Sequence, residues 1–510
     1  MHKEIVIDVN PYQTRVVLLE DGSPSEIYIE RRGKERLVGN IYKGKVQNVL
    51  PGMQAAFVDI GLERNAFLYA GDIVLDKSEF QFGSHHEGDQ KLDETPNVKD
   101  ILKPGQDIMV QVIKEPIGTK GARVTTHITL PGRSLVLMPT VNYIGVSRRI
   151  DDESERARLK SAVEGVKPPD MGVIVRTAAV GKEVSDFAND MAFLTRMWNR
   201  IQEKERLLSA PRLIHAEEPL MFRTLRDLFS PDIHRLVIND REFFEKIQVV
   251  VGILAPALQE RVELYEGVPD MFDTYKLETA IDKALARKVW LKNGGYIVID
   301  QTEALTTIDV NTGKYVGNDS LQETITQTNC EAAKEIARQL RLRDISGIII
   351  IDFIDMDEIV DKERVLDTLR TELRKDRTKS NVLGITQLGL VEMTRKKTRP
   401  CISATLQAPC PYCGGDGKVL SQETMILKVR KKLMRALAEG ENCSYLVRVN
   451  PSVAEMIQEN STQEAPLLPS APGHSIFVQP VPGMHVEEFT ISPITSPSEL
   501  KHIRSIAKAY

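Results

Sequence analysis

Two aspartates close strongly apolar runs, Asp309 in LTTIDVNTG and Asp352 in IIIIDFIDM. If the runs are neighbouring strands of one open α/β sheet, their carboxyl ends bring both side chains to the crevice where such sheets place ligands. Two carboxylates held together repel, and a cation between them relieves the repulsion. Mg²⁺ suits this role, because it takes one or two carboxylates and keeps waters for a substrate phosphate. Water made acidic there is a nucleophile near neutral pH, which is the chemistry of metal-assisted phosphodiester hydrolysis. Asn311, two residues on and on the same strand face, is placed to orient a carboxylate or the attacking water. Each aspartate taken singly also fits a strand end that caps a loop. Asp300, Asp355 and Asp357 rival the pair on spacing alone.

A second group is Cys410-Pro411-Tyr412-Cys413-Gly414-Gly415-Asp416-Gly417, a C-x₂-C knuckle whose glycines let backbone amides turn toward the thiolates. Structural zinc takes four ligands, and the knuckle supplies two. No second C-x₂-C and no histidine pair of zinc spacing occurs in the chain. The same knuckle from a second copy would complete the site across a two-fold axis. A redox pair and a third ligand from Cys401 are the alternatives. Five cysteines, an odd count, with no signal-peptide pattern argue against a disulfide framework.

The elements that would position these groups follow from periodicity. KEIVIDV, TRVVLLE and SEIYIE alternate as short strands broken at Pro11 and Asp21-Gly22. Residues 36–125 keep a strand-and-turn rhythm with a polar loop over 76–104, which suggests a small barrel. Phe57, Phe67 and Tyr69 in its strands could stack bases, with Lys43, Lys45, Lys114 and Lys120 tracking phosphates, or the aromatics could be core. Residues 127–180 mix strands with a charged helix near 152–163. From about 183 to 290 the pattern is mostly helical, with one strand-like break at 232–240. From 291 it becomes strand, strand, helix, strand, helix, and Gly294-Gly295 leads into YIVID. A basic helix at 421–437, either an oligomer contact or a lone surface helix, precedes a Pro/Ser-rich stretch near 460–473.

A chain of 510 residues with 27% charged residues and a net charge of −5 implies several domains of ordinary composition. That charge does not exclude nucleic-acid binding, which depends on local fields. Basic clusters lie at 31–36, 395–399 and 428–432. No run approaches the roughly 18 apolar residues of a membrane span, so a cytoplasmic protein is expected.

NIYKGKV, AAFVDIG, GVSRRI, GVIVRTA, YIVIDQTEALTTIDVNTG, EIARQLRLRD, GIIIIDFIDM and CPYCGGDGKV together resemble the ribonuclease E/G family over nearly the whole chain. GLVEMTRKKTR favours the shorter G-type branch, without the degradosome-scaffolding tail of E-type enzymes. The resemblance implies a multidomain α/β fold. Residues 1–35 and 220–285 would form an RNase H-like subdomain, and 36–125 an inserted OB barrel of the S-one type. Residues 127–219 would be a 5′-sensor, 286–400 a DNase I-like catalytic subdomain, 401–420 a zinc link and 421–510 a small C-terminal domain. It further implies a Mg²⁺-dependent endoribonuclease acting on unpaired, AU-rich RNA and leaving 5′-phosphate and 3′-hydroxyl ends, in rRNA processing, mRNA decay or both. Asp309 and Asp352 would hold Mg²⁺ with Asn311 assisting. Cys410 and Cys413 would hold a Zn²⁺ shared between subunits of a homodimer or homotetramer. Gly132, Val136, Arg176, Thr177 and Lys379 would sense a 5′-monophosphate, Lys379 standing where E-type enzymes have arginine. Phe57, Phe67, Lys114 and Lys120 would contact RNA in the barrel, and Arg148 and Arg149 near the scissile phosphate.

Overall fold

The computed structural model describes the chain except residues 1, 34–35, 74–96, 117–119, 269, 314–320, 440–443, 461–466, 470–474 and 510. Most of the polar loop expected over 76–104 and Cys443 fall outside the described residues. The chain divides into two compact units, Met1–Thr405 and Leu406–Tyr510.

In the first unit, β1 (Lys3–Val9), β2 (Gln13–Glu20) and β3 (Ser23–Arg31) form an antiparallel meander. β4 (Ile41–Leu50), β5 (Ala55–Asp59), β6 (Ala66–Tyr69), β7 (Asp107–Lys114) and β8 (Arg123–Thr125) close into an OB-like barrel, because β4 pairs with both β5 and β7. Closure leaves the five strands with no free edge. β9 (Leu130–Pro131), β10 (Leu135–Met138), β11 (Ile144–Val146) and β12 (Gly172–Val175) make a separate sheet. The helix Val184–Leu207 covers it with Phe187, Met191, Leu194, Trp198 and Ile201, a three-and-four spacing that puts all five on one face. β13 (Arg212–His215) returns to pair with β4. β14 (Ile233–Ile238) and β15 (Val262–Leu264) then extend the first meander, β14 lying parallel to β1 in the order β15-β14-β1-β2-β3.

The sheet that carries the aspartates has the order β16-β17-β18-β19-β21-β20: β16 (Lys288–Trp290), β17 (Tyr296–Gln301), β18 (Leu305–Asn311), β19 (Gly347–Asp352), β20 (Ser380–Ile385) and β21 (Val391–Arg395). Gly294, at φ 93°, makes the turn between β16 and β17 in a conformation that a side chain would resist. Helices Leu321–Leu342 and Ile359–Leu373 cover one face only, packing Ala333, Ile336, Leu340, Val365 and Leu369 onto Ile297, Ile308, Ile349 and Ile351. The strands therefore alternate buried and exposed residues, and among the described residues the opposite face is open.

The second unit is a four-stranded sheet of β22 (Ser444–Val449), β23 (Ile476–Pro480), β24 (Phe489–Ile494) and β25 (Lys508–Ala509), in the order β24-β22-β23-β25. The helix Gln422–Glu439 buries Met425, Ile426, Val429 and Leu433 in its core. That corrects the expectation of a lone surface helix: Lys428, Lys431 and Lys432 occupy only its outer face. No helix among the described residues is long and apolar enough to cross a membrane.

Candidate active site

β18 and β19 run parallel, and their register sets Asp309 directly beside Asp352 at the carboxyl ends of both strands. Both side chains are exposed on the face that the helices leave open. The Asn311 amide donates to Asp309 Oδ2 at 2.8 Å and fixes that carboxylate. Partial burial, then the charges of Asp309 and Asp355, push the Asp352 carboxyl above its usual range. Two of the rivals are engaged otherwise. Asp300 is held by Arg287 at 2.6 Å and depressed by it. Asp357 accepts from Gln322 at 2.6 Å. Asp355 acts on Asp352 through its charge.

This donor set suits a divalent cation. Among the described residues no group of three or more His, Cys, Asp or Glu could hold a metal. Two adjacent carboxylates, one raised by its neighbours, match an ion that fills its remaining positions with water.

A cleft of about 1240 Å³ lies elsewhere in the same unit, and Arg133, Arg149, Arg176, Lys182, Arg226 and Arg377 contribute to its lining. Arg176 and Thr177 face it, at the end of β12. Arg176 Nη1 donates to the Gly132 carbonyl and Nη2 to Asp227, each at 2.6 Å. Asp227 also accepts from Arg226 at 3.0 Å, and its carbonyl from Arg377 at 3.4 Å. One carboxylate thus aims two cations, Arg176 and Arg226. Burial lowers Arg133, Arg149 and Lys182 from their ordinary values, as expected where cations crowd a partly dry wall. Gly132, Val136 and Lys379 lie outside the lining. Gly132 has a packing reason of its own, since a Cβ would sit 2.7 Å from Asp190 Oδ1. Arg377, Arg133, Lys182 and Asp227 were not singled out in the sequence; only proximity in the fold reveals them.

On the barrel, Phe57 and Phe67 are cross-strand partners with ring centroids 6.0 Å apart at 70°. They are half-buried and outside the barrel's core, and Tyr69 is 44% exposed. Lys114 and Lys120 are exposed. Lys43 is not available for phosphates: it bonds the Glu205 carbonyl at 2.8 Å and its carboxylate at 3.3 Å. Arg148 is exposed, and Arg149, in the lining of the cleft, donates to the Asp376 carbonyl at 2.8 Å.

In the second unit, Gly414, Gly415 and Gly417 all have positive φ, and the Gly417 amide donates to Cys413 Sγ at 3.2 Å. Amides of Cys413 and Tyr412, then the Cys413 thiol, lower the Cys410 pKa. This favours the Cys410 thiolate, the form that binds metal. Tyr412 is held by His485, whose Nε2 lies 2.6 Å from its carbonyl. Cys401 lies in the first unit beside Ser403 at 3.2 Å.

The fold and site define a mixed α/β protein with an OB-like barrel and a two-carboxylate centre. The sequence model of the Ribonuclease E/G family matches residues 129–398. The chain is 43% identical to ribonuclease G of Escherichia coli K12 over 491 residues, 96% of this chain and 99% of that protein. It is 43% identical over 493 residues to ribonuclease G of Haemophilus influenzae, with the same coverage. It is 38% identical to ribonuclease E of E. coli K12 over 454 residues, 88% of this chain and 42% of that protein. The chain belongs to the ribonuclease E/G family.

Proposed function

We propose that this chain cuts single-stranded RNA internally at the Asp309–Asp352 centre with Mg²⁺ as cofactor. That it is an endoribonuclease, a phosphodiester hydrolase, follows from its family. The observation that carries the assignment of the centre is the register that sets Asp309 beside Asp352, with Asn311 bound to Asp309.

Asp309 and Asp352 would hold Mg²⁺, which when bound supplies charge neutralisation and a more acidic water. Asn311 keeps the Asp309 carboxylate in one orientation, so less rearrangement is needed on the way to the transition state. Phe57, Phe67 and Tyr69 offer base-stacking surfaces, and Lys114, Lys120, Arg148 and Arg149 offer phosphate contacts. In the cleft, Arg176 and Thr177 would take a 5′-monophosphate. Lys379 would supply a further cation of the sensor, and Arg377, two residues before it, lines the cleft. Cys410 and Cys413 would supply half of a Zn²⁺ site completed by a second copy, giving a homodimer or homotetramer. The domain plan of RNase H-like, barrel, sensor, DNase I-like, zinc-link and C-terminal parts is compatible with the sheet orders described above. Work on rRNA precursors or mRNA in the cytoplasm is the corresponding cellular role.

The test uses a short unstructured AU-rich RNA bearing a 5′-monophosphate, beside a 5′-hydroxyl copy, with Mg²⁺. Wild-type protein should cut both internally, the monophosphate faster, while Asp309→Asn cuts neither. Equal rates on the two RNAs would remove the sensor and keep the nuclease. An Asp309→Asn variant as active as wild type would remove the assigned centre.

A further inference from the structure

The open face of the catalytic sheet carries a group that the reading above does not use. Trp290, on the edge strand β16, is 61% exposed. The other tryptophan of the chain, Trp198, is 6% exposed and belongs to a core. Trp290 packs edge-on against Tyr296, with ring centroids 5.4 Å apart at 64°. Lys288 Nζ lies 4.1 Å from the centre of the Trp290 ring and 3.4 Å from that of Tyr296, so one ammonium sits over one face of each ring.

Register places this group relative to the aspartates. Trp290 is opposite Tyr296, and Tyr296 is opposite Asn311. Lys288 is opposite Val298, and Val298 is opposite Asp309, which is opposite Asp352. Opposed residues share a face, and so do residues two apart along a strand. Lys288, Trp290, Tyr296, Asn311, Asp309 and Asp352 therefore all project from one side of the sheet. The intervening Val289 and Ile297 pack into the core on the other side. β16 and β18 are separated by two strand spacings, roughly 10 Å.

A large indole left in water needs a reason when a charged side chain would serve an edge strand better. An exposed aromatic pair with a cation over it is what holds an unpaired nucleobase: the ring stacks on the base and the ammonium meets the adjoining phosphate. We propose that Trp290 and Tyr296, with Lys288, form a base-stacking platform that seats a nucleotide of the RNA beside the cleavage centre. This rests on the assignment of that centre to Asp309 and Asp352. The platform holds substrate and takes no part in bond breaking, so its loss acts on binding.

The experiment uses the full chain carrying Asp309→Asn, titrated with a short oligoadenylate, with the exposed tryptophan as its own reporter. Stacking should quench the Trp290 emission, and an abasic oligomer of the same length should leave it unchanged. Trp290→Ala should weaken oligoadenylate binding roughly tenfold, and Trp290→Phe should restore most of it. In the otherwise wild-type enzyme, Trp290→Ala should raise KM with kcat nearly kept. Absence of quenching, together with unaltered binding and cleavage by Trp290→Ala, overturns the platform. So does a Trp290→Ala variant whose subunit assembly changes while its RNA affinity does not, because the indole is then a subunit contact. A wild-type enzyme that fails to cut RNA would count against the nuclease centre. The quenching titration, which needs no cleavage, would still decide the platform.

Discussion

At the scale of single residues, the centre makes graded predictions. Asp309→Asn or Asp352→Asn should lower kcat on the order of a thousandfold, with the circular dichroism spectrum kept. Asn311→Ala should cost less, about ten- to a hundredfold, since it removes one hydrogen bond to a charged group and leaves both carboxylates. A kcat equal to wild type in Asn311→Ala would show that Asp309 needs no such support. In the cleft, Arg176→Ala should bring the ratio of rates on 5′-monophosphate and 5′-hydroxyl RNA down to about one. An unchanged ratio would move the sensor to other cations of the cleft. The pair of aspartates was legible because an apolar run ending in one carboxylate is a strong local pattern. Of the cleft, Arg176 and Thr177 were reached only through the family resemblance, whereas Arg377 and Asp227 are ordinary surface residue types until the chain brings them together.

At the scale of elements, ionic contacts join the sheet that carries Asp309 and Asp352, through its covering helix, to the N-terminal meander. Arg341, near the end of the helix Leu321–Leu342, bonds Glu20 of β2 at 2.8 Å and Glu26 of β3 at 3.0 Å. Burial alone would raise the Glu26 pKa, but Arg377 and Arg341 outweigh it and hold it below the ordinary 4.5. A carboxyl depressed by folding adds stability above its unfolded pKa and loses it as pH falls through the folded value. Wild-type stability should therefore drop below about pH 4.5, and Glu26→Gln should flatten that drop; urea midpoints across pH measure both. The basic run at 395–399 has a related use. Arg395 is buried between Asp344 at 2.5 Å and Asp376 at 2.6 Å, and Arg399 lies over the Tyr28 ring at 3.7 Å. In sequence that run reads as a phosphate track or a solvated face, because charge patterning cannot say which arginines will meet buried acids. The strands KEIVIDV, YIVID and LTTIDV were readable from alternation. β13, β15 and β16 were not, since three or four residues carry little periodicity and their partners come from distant segments.

At the scale of the whole molecule, the knuckle makes a prediction about assembly. If Cys410 and Cys413 share Zn²⁺ with a second copy, purified protein should contain about half a zinc per chain. Strong chelators, or Cys410→Ser with Cys413→Ser, should shift the sedimentation coefficient toward monomer. One zinc per chain in a monomer would end the shared-site reading. Four strands of the second unit went unread in sequence, because Pro/Ser-rich connections obscured their spacing.

The path of the first unit has a consequence for folding order. β1 waits for β14, its Ile5 aligning with Leu236, so the N-terminal sheet cannot finish until a long stretch of chain has been made. That stretch starts and stops at one place: β4 and β13 pair, with Ile41 opposite His215. A segment whose two ends meet costs its host little loop-closure entropy and can complete its own cores first. It should behave as a cassette. A fragment spanning residues 40–216 should melt cooperatively when expressed alone, and during synthesis it should be protease-resistant before the sheet that brackets it is sealed.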